Sequence, residues 1–153
     1  MPDIAEQIAA LPMHWDKDGN LRILMVTSRE TKRWVMPKGW EMDGKKPWRA
    51  AEIEALEEAG AVGRISREAI GTYTYLKRLD DGSALPCEVR VYPMIVQKLK
   101  RDWKERKERK RHWFTPRSAA SKVQEAELSE LLLTLCKKPK KDPTIRALLN
   151  RAS

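Results

Sequence analysis

The sequence predicts an α/β or α+β sandwich, because strand-like and helix-like segments are mixed along a chain of 153 residues. The strongest helix signal begins at Pro47 and ends at Gly60, since proline suits a first helical turn and glycine suits the position after the last. Alanines between them favour the helix further. Strand-like apolar runs precede and follow it, at residues 21–28, 33–37, 69–76 and 88–97. The order of these elements alone leaves both sandwich classes open.

Size and composition indicate one soluble globular domain spanning residues 1–153. Hydrophobic residues make up 41% of the chain and charged residues 35%, which excludes collagen-like, low-complexity and wholly disordered classes. No run approaches the ~18 consecutive apolar residues of a membrane span, so we expect no contact with a membrane. Cys87 and Cys136 form no C-x-x-C pair, which favours a reducing, cytoplasmic location.

The first half of the chain has several weaker signals. Residues 4–10 suggest a short helix, and residues 11–15 an extended segment before a turn at Asp18 and Gly19. Residues 39–46 are polar and predict a loop. The Asp-Asp-Gly sequence at residues 80–82 predicts a hairpin connection. Pro93 predicts a sheet edge or a bulge, because proline cannot donate to a ladder.

The second half predicts a short strand and three helices. Residues 112–114 are strand-like, and Thr115 with Pro116 predicts the start of a helix that ends near residue 123. Residues 125–136 predict an amphipathic helix. Its apolar stripe consists of Leu128, Leu131, Leu132 and Leu135. Asp142 and Pro143 predict the start of a last short helix.

Positive charge is concentrated in two stretches. Lys and Arg number 31 against 22 Asp and Glu, a net charge of +9. The basic segment (residues 98–111) has nine basic and three acidic residues, and residues 137–142 have four basic and one acidic. We expect the basic segment to be an exposed loop and residues 137–153 to form a basic C-terminal extension. This pattern favours a polyanionic partner, although solvated surface runs would give it too.

Three carboxylates on the predicted helix carry the strongest chemical signal. Glu54, Glu57 and Glu58 are spaced i, i+3 and i+4, which places them on one helix face within one turn. They repel one another, and they lie in the half of the helix where the dipole disfavours anions. A hard divalent cation would compensate for both effects. A solvated acidic helix face would show the same spacing.

The whole segment at residues 39–61 resembles the Nudix box, G-x5-E-x7-R-E-U-x-E-E-x-G-U, where U is aliphatic. Gly39 matches the first glycine, Glu54 the glutamate of the R-E pair, and Gly60 the last glycine. Glu57 and Glu58 match the E-E pair. The flanking sequences VTSRETKRWVMPKGW and RHWFTPRSAASKV resemble the branch that hydrolyses diphosphoinositol polyphosphates, with diadenosine polyphosphate hydrolases close by.

Two positions depart from the box pattern. Lys45 stands where the family has its first glutamate, and Ile53 stands where it has arginine. The family arginine can pair with a catalytic carboxylate, which an isoleucine cannot do. Arg49, four residues earlier on the same stripe, is the candidate substitute from the helix itself.

The resemblance implies a Nudix-like α/β/α sandwich with a mixed β-sheet and Mg²⁺-dependent hydrolysis of a diphosphate linkage. Mg²⁺, or Mn²⁺ in its place, would be held by Glu54, Glu57, Glu58 and the carbonyl of Gly39. Glu57 or Glu58 would orient or deprotonate the attacking water. The substrate would be a polyphosphorylated small molecule.

Basic side chains near the box are candidates for binding the phosphates that do not react. Arg29, Arg33 and Lys38 flank the entry to the box, and Ser28 can donate a further hydrogen bond. Trp40, beside the first box glycine, is expected at the mouth of the pocket. Each cation could equally be an ordinary surface residue at a strand end.

Two other functions remain open. The departures at Ile53 and Lys45 would suit a Nudix-fold binding or regulatory module with weak or no turnover. The basic segment could instead bind RNA, with Trp103 as a stacking platform, although packing of this indole against the sheet is the simpler interpretation.

Overall fold

The structure, a computed structural model, describes residues 4–151. Residues 1–3 and 152–153, the two ends of the predicted single domain, lie outside the described part. The strands are β1 (Ala5–Trp15), β2 (Leu21–Thr27), β3 (Trp34–Val35), β4 (Lys38–Trp40), β5 (Ala61–Ile65), β6 (Gly71–Arg78), β7 (Ala84–Leu99) and β8 (Arg111–Phe114). The helices are α1 (Pro47–Ala59), α2 (Pro116–Lys122), α3 (Ala126–Thr134) and α4 (Pro143–Asn150), with a 3₁₀ turn at Pro139–Lys141. Within residues 4–151, no helix is long and apolar enough to cross a membrane.

The strands form one mixed sheet whose two central strands, β1 and β7, run parallel to each other. The remaining pairings are antiparallel: β2 and β4 lie beside β1, β3 and β8 beside β2, and β5 and β6 beside β7. Pairing of Ala9 with Lys38 brings β4 against the first half of β1. The strand that leads into α1 is therefore fixed to the middle of the sheet.

Helices cover both faces of this sheet, so the predicted α/β/α sandwich is confirmed. Ile8 and Ala10 of β1 point toward α1, where they pack with Ala51 and Ala55. The alternate residues of β1 point to the opposite core, which includes α2, α3 and Ile145 of α4. Strand alternation thus divides one run of apolar residues between two cores.

The predicted helix at residues 4–10 is wrong, because β1 begins at Ala5 and continues to Trp15. Residues 7–13 of this strand are all buried, since the sheet is covered on both faces. A strand of this kind is a continuous apolar run without visible alternation, and periodicity does not distinguish it from a buried helix.

β5 was not predicted, and Pro93 lies elsewhere than expected. β5 contains Gly63, which weakens a strand pattern, and a register shift falls between Val62 and Gly63. Pro93 lies in the central strand β7, paired with Leu11 of β1. On the other side of β7 the neighbouring strand changes there from β6 to β5, and the N–H of Ser66 donates to the Pro93 carbonyl at 2.8 Å.

The basic segment is mostly exposed, as expected, and it also packs on the C-terminal end of α1. Lys100 and Glu105 donate backbone N–H groups to the carbonyls of Gly60 and Glu57, at 2.8 and 3.0 Å. The Trp103 indole donates to the Glu58 carbonyl at 3.1 Å, and Arg111 donates to the Ala59 carbonyl at 2.8 Å. A helix end leaves such carbonyls without intrahelical partners, and the basic segment supplies them.

Candidate active site

Helix α1 places the predicted carboxylates beside the strand that precedes it. α1 has proline in its first turn and ends at Gly60 in the left-handed conformation, as predicted. Gly39 lies directly against Glu54, so closely that a Cβ at residue 39 would overlap the Glu54 carboxylate. The backbone N–H of Lys38 donates to Glu58 Oε1 at 3.2 Å. The first glycine of the box and the helix carboxylates therefore form one local structure.

A fourth carboxylate joins the three on the helix. Glu105, from the basic segment, lies near Glu54 and Glu58, and these four side chains are called the carboxylate cluster below (Glu54, Glu57, Glu58 and Glu105). Burial, and then the charges of Glu57 and Glu105, raise the pKa of Glu54 to about 7. Burial also raises the pKa of Glu58 to about 8, although Arg109 and the Lys38 N–H act against this rise. The nearby cations therefore do not fully balance the negative charge of the carboxylate cluster.

Two cations of the basic segment contact the cluster. Arg109 Nη2 lies 3.6 Å from Glu58 Oε2, and Arg109 Nε donates to Glu105 Oε1 at 2.8 Å. Lys104 Nζ contacts Glu57 Oε2 at 3.3 Å from a largely exposed position. Arg49, the candidate from the helix itself, pairs instead with Glu52. The positive charge that Arg49 was expected to bring to the helix carboxylates therefore comes from the basic segment, a distant part of the chain.

Lys38 is half-buried in a polar site on the opposite face of the sheet from α1. Its Nζ donates to the Tyr75 hydroxyl at 3.1 Å and lies 4.6 Å from the centre of the same ring. The Tyr75 hydroxyl in turn donates to the side chain of the buried Gln7. Burial, and then the charge of Lys77, lower the pKa of Lys38, while Glu58 raises it. Lys38 thus connects the carboxylate cluster with a polar site on the other face.

The other predicted phosphate ligands either bind neighbouring residues or lie away from the carboxylate cluster. Arg33 pairs with Glu125 at 3.0 Å, where the Glu125 side chain is only 6% exposed. Ser28 Oγ is 2.7 Å from the Thr31 hydroxyl and accepts the Arg33 N–H, so it stabilises the turn between β2 and β3. Arg29 is exposed at that turn. Of Lys38, the geometry brings the backbone N–H to the cluster and leaves the ammonium group beside Tyr75, and it does not bring Ser28 or Arg29 to the cluster.

The sequence predicts roles for two tryptophans, Trp40 and Trp103. Trp40 is 45% exposed at the end of β4, with Lys77 Nζ 5.9 Å from its ring, and its position at a pocket mouth stays a prediction. Trp103 packs against Gly60 and the Arg111 guanidinium lies 3.9 Å from its ring centre. This indole is therefore held at the end of α1, neither packed on the sheet nor free to stack on a base.

A basic cavity of about 570 Å³ adjoins the cluster through Arg109. Thr27, Trp34 and Glu108 contribute to its wall, and its remaining lining is cationic. The lining cations are Lys32, Arg106, Lys107, Arg109 and Lys110. An anionic group bound here would lie next to the carboxylates that Arg109 contacts.

The donor set suits a hard divalent cation in its chemistry. The carboxylate cluster and the Gly39 carbonyl offer oxygen atoms, which Mg²⁺ and Mn²⁺ prefer. The close approach of Glu54 to Gly39 also requires the absence of a side chain at residue 39. Within the part of the chain described, no three acidic, histidine or cysteine side chains already converge as metal ligands. The candidate ligands are therefore neighbours, held by Arg109, Lys104 and the Lys38 N–H.

Sequence reasoning missed Glu105 and Arg109 as members of the site. They form an i, i+4 acid–base pair inside a run of basic residues, but Asp102 and Arg106 have the same spacing, so this signal does not single them out. Tyr75 and Gln7 were missed as well, because they reach Lys38 from β6 and β1, 37 and 31 positions away along the sequence.

Known proteins similar to this chain agree with the fold and the box. Nudix hydrolase 16, mitochondrial, of Arabidopsis thaliana is 30% identical over 128 residues, covering 77% of this chain and 70% of the relative. The diphosphoinositol polyphosphate phosphohydrolase 3-beta of Homo sapiens is 30% identical over 104 residues, covering 67% and 59%. The chain spans about half the length of some curated relatives, 50% for Nudix hydrolase 12, mitochondrial, of Arabidopsis thaliana.

Solved structures show the same fold. A Nudix hydrolase from Nitrosomonas europaea has a TM-score of 0.67 at 16% identity, covering 95% of this chain and 96% of that one. An Ap4A hydrolase from C. elegans has a TM-score of 0.62 at 18% identity, covering 87% and 96%. No family model matches the chain. On the sequence similarity to Nudix hydrolase 16 and the shared fold, this chain belongs to the Nudix hydrolase family.

Proposed function

We propose that this chain is a Mg²⁺-dependent pyrophosphohydrolase that cleaves a diphosphate linkage in a polyphosphorylated small molecule. The observation that carries the proposal is the carboxylate cluster beside Gly39, adjoined by the basic cavity through Arg109. The candidate substrates are diphosphoinositol polyphosphates and diadenosine polyphosphates, the classes named for a curated relative and for a solved structure of similar fold. Both are polyanions, which suits the charge of the cavity.

Glu54, Glu57, Glu58 and the Gly39 carbonyl would hold the cation, with Mn²⁺ as the alternative to Mg²⁺. A bound dication would neutralise charge on the phosphates and acidify a water molecule. Lys104 and Arg109 now hold two of these carboxylates, so metal binding requires some of them to turn toward a common point. Gly39 leaves room for the Glu54 carboxylate to do so.

Glu57 or Glu58 would take the proton from the attacking water. Glu58 is held by the Lys38 N–H on one oxygen and lies beside Arg109 on the other, while Glu57 is 32% exposed on the outer side of the cluster. Lys38 and Arg33 remain predicted ligands of the phosphates that do not react, and to bind them they would have to exchange their present contacts with Tyr75 and Glu125 for the phosphates. Ser28 and Arg29 remain predicted ligands of the distal part of the substrate.

The test is turnover with each substrate class, with Mg²⁺ or with EDTA. The Glu57→Gln and Glu58→Gln variants are expected to lower kcat by about 100- to 10,000-fold, which is the usual worth of general-base help. Glu52→Gln is the matched control on the same helix, because Glu52 pairs with Arg49 away from the cluster. Its kcat should stay within about twofold of the parent, as for an ordinary surface substitution.

Products distinguish the two substrate classes. A diphosphoinositol polyphosphate would release orthophosphate, and a diadenosine polyphosphate would release two adenine nucleotides. Full activity in EDTA, or full activity of both Glu57→Gln and Glu58→Gln, would contradict the proposal.

The alternative is a binding or regulatory module that keeps the Nudix fold. Ile53 and Lys45 favour it, and Lys45 lies exposed in the loop before α1. Tight binding of a polyphosphate with no product under any divalent cation would support this function. Salt-dependent RNA binding without small-molecule turnover would instead support an RNA-directed protein.

We keep the predicted cytoplasmic location as part of this proposal. The proposal rests on Cys87 and Cys136, which form no C-x-x-C pair.

A further inference from the structure

The carboxylate cluster needs a cation that helix α1 does not provide. Glu54, Glu57 and Glu58 lie within one turn, and like charges so placed repel one another. Residue 53, one turn before Glu57, is an isoleucine. Arg49, one turn earlier still, is occupied by Glu52. A positive group that holds these carboxylates must therefore come from another element.

Arg109 is placed to do this, because two of its guanidinium nitrogens face carboxylates and the third is anchored to the backbone. Nε donates to Glu105 at 2.8 Å, Nη2 lies 3.6 Å from Glu58, and Nη1 donates to the Thr27 carbonyl at 3.0 Å. The Arg109 side chain is only 10% exposed. A guanidinium with several fixed acceptors is a rigid fork and orients its partners, which a single ammonium group does less well.

The backbone beside Arg109 is fixed as well. The Lys110 N–H donates to the Thr27 hydroxyl at 2.9 Å, and the Thr27 N–H donates to the Lys110 carbonyl at 3.0 Å. These two bonds fasten the end of the basic segment to the end of β2. The base of the Arg109 side chain therefore cannot move away from the cluster without breaking them.

Lys104 does not have the same properties. It contacts Glu57 at 3.3 Å, but its side chain is 69% exposed and has one acidic partner. Exposed ion pairs of this kind contribute little, because solvent and salt screen them.

We propose that Arg109 is the positioning residue of the site: it fixes the carboxylates of Glu58 and Glu105 and supplies the cation that α1 lacks at Ile53. This inference rests on the proposed function for its effect on turnover. Its effect on divalent-cation binding is separate and can be measured on a protein without turnover.

The first test compares Arg109→Ala with Arg101→Ala. Arg101 is the matched control, because it is an exposed arginine of the same segment and forms no ion pair within residues 4–151. Loss of a positioning residue should lower Mn²⁺ affinity by calorimetry, and kcat with Mg²⁺, by about 10- to 100-fold each. Arg101→Ala should change neither by more than about twofold.

The second test is rescue by Ile53→Arg on the Arg109→Ala background. An arginine at residue 53 is four positions before Glu57 on the same helix face and can hold that carboxylate from there. We expect the double variant to recover most of the lost Mn²⁺ affinity and most of the lost kcat. Added positive charge by itself would weaken cation binding, so recovery can only come from positioning.

The opposite results overturn the proposal. If Arg109 only competes with the metal, Arg109→Ala will bind Mn²⁺ more tightly than the parent, and Ile53→Arg will weaken that binding. Failure of the double variant to recover Mn²⁺ affinity, with a native circular dichroism spectrum, also contradicts positioning.

A further variant covers the case in which Arg109→Ala does not fold. Arg109→Lys keeps the charge but cannot reach Thr27, Glu105 and Glu58 together, so its Mn²⁺ affinity should fall by about tenfold. Parent-like Mn²⁺ affinity in this variant would overturn the proposal. Absence of turnover in the parent, with the expected Mn²⁺ series intact, would contradict the proposed function and leave Arg109 as the positioning residue.

Discussion

Among single residues, the protonation of Glu54 and Glu58 is the property of the site most open to measurement. Both carboxyls are withdrawn from water beside two further carboxylates, and the nearby cation, Arg109, only partly offsets this. Such a site stores unfavourable electrostatic free energy, and binding a dication or a proton relieves it. Binding of the cation should therefore displace protons near neutral pH.

The first prediction concerns the stability of the metal-free protein as a function of pH. The pKa values of Glu54 and Glu58 are raised from 4.5 to about 7 and about 8 in the folded protein. Between about pH 4.5 and 8 the folded state therefore binds more protons than the unfolded state, so the free energy of unfolding falls as pH rises through this window. Urea denaturation in EDTA should show a lower midpoint at pH 8.5 than at pH 6.

The control for this prediction is the Glu54→Gln, Glu58→Gln double variant. Its urea midpoint should depend less on pH than that of the parent. An equal slope in the two proteins would mean that these carboxyls are not the ones that titrate.

Among the elements, α1 and the basic segment form the structural unit that builds the site. The segment supplies hydrogen-bond donors to the last carbonyls of α1, and it also brings Glu105 and Arg109 to the helix carboxylates. Its positive charge lies at the negative end of the helix dipole, where cations are stabilising. The contacts that cap the helix therefore also assemble the carboxylate cluster.

The contact between α1 and the basic segment explains which parts of the site the sequence could predict and which it could not. Glu54, Glu57 and Glu58 fall on one predicted helix, so their spacing alone places them together, and the resemblance to the Nudix box adds Gly39. Glu105 and Arg109 come from about 50 residues further on, and no periodicity encodes which helix end a basic loop will cover. Strand β1 was mistaken in part for a helix for a related reason, because burial on both faces removes the alternation.

The second prediction tests the unit through Trp103. Trp103→Ala loses the hydrogen bond to Glu58 and the contacts with Arg111 and Gly60, and should lower the free energy of unfolding by about 2–3 kcal/mol. Trp103→Phe keeps an aromatic ring and loses the N–H, so we expect a loss of about 1 kcal/mol. Urea denaturation measures both, with Arg101→Ala as the exposed control. Equal stability of all three variants would show that the segment does not cap α1.

For the whole molecule, the net charge of +9 is distributed unevenly with respect to the site. The basic segment borders the carboxylate cluster, whereas the C-terminal extension lies near the other end of the sheet, where Lys140 is 5.4 Å from the Trp15 ring. Trp15 pairs with Leu21, at the opposite end of β2 from Thr27, about 20 Å away at the usual rise per residue. This exceeds the screening length of about 10 Å at 0.1 M salt.

The last prediction follows from this separation. Positive charge around the basic cavity should attract a polyanionic substrate, so kcat/KM should fall steeply with ionic strength while kcat changes little. A Lys107→Glu, Lys110→Glu variant reverses two charges at the cavity and should lower kcat/KM at low salt by about tenfold or more. A Lys137→Glu, Lys138→Glu variant makes the same change of net charge at the far end, and we expect it to keep most of the parent's kcat/KM. Equal losses in the two variants would mean that net charge, and not the cavity beside Arg109, attracts the substrate.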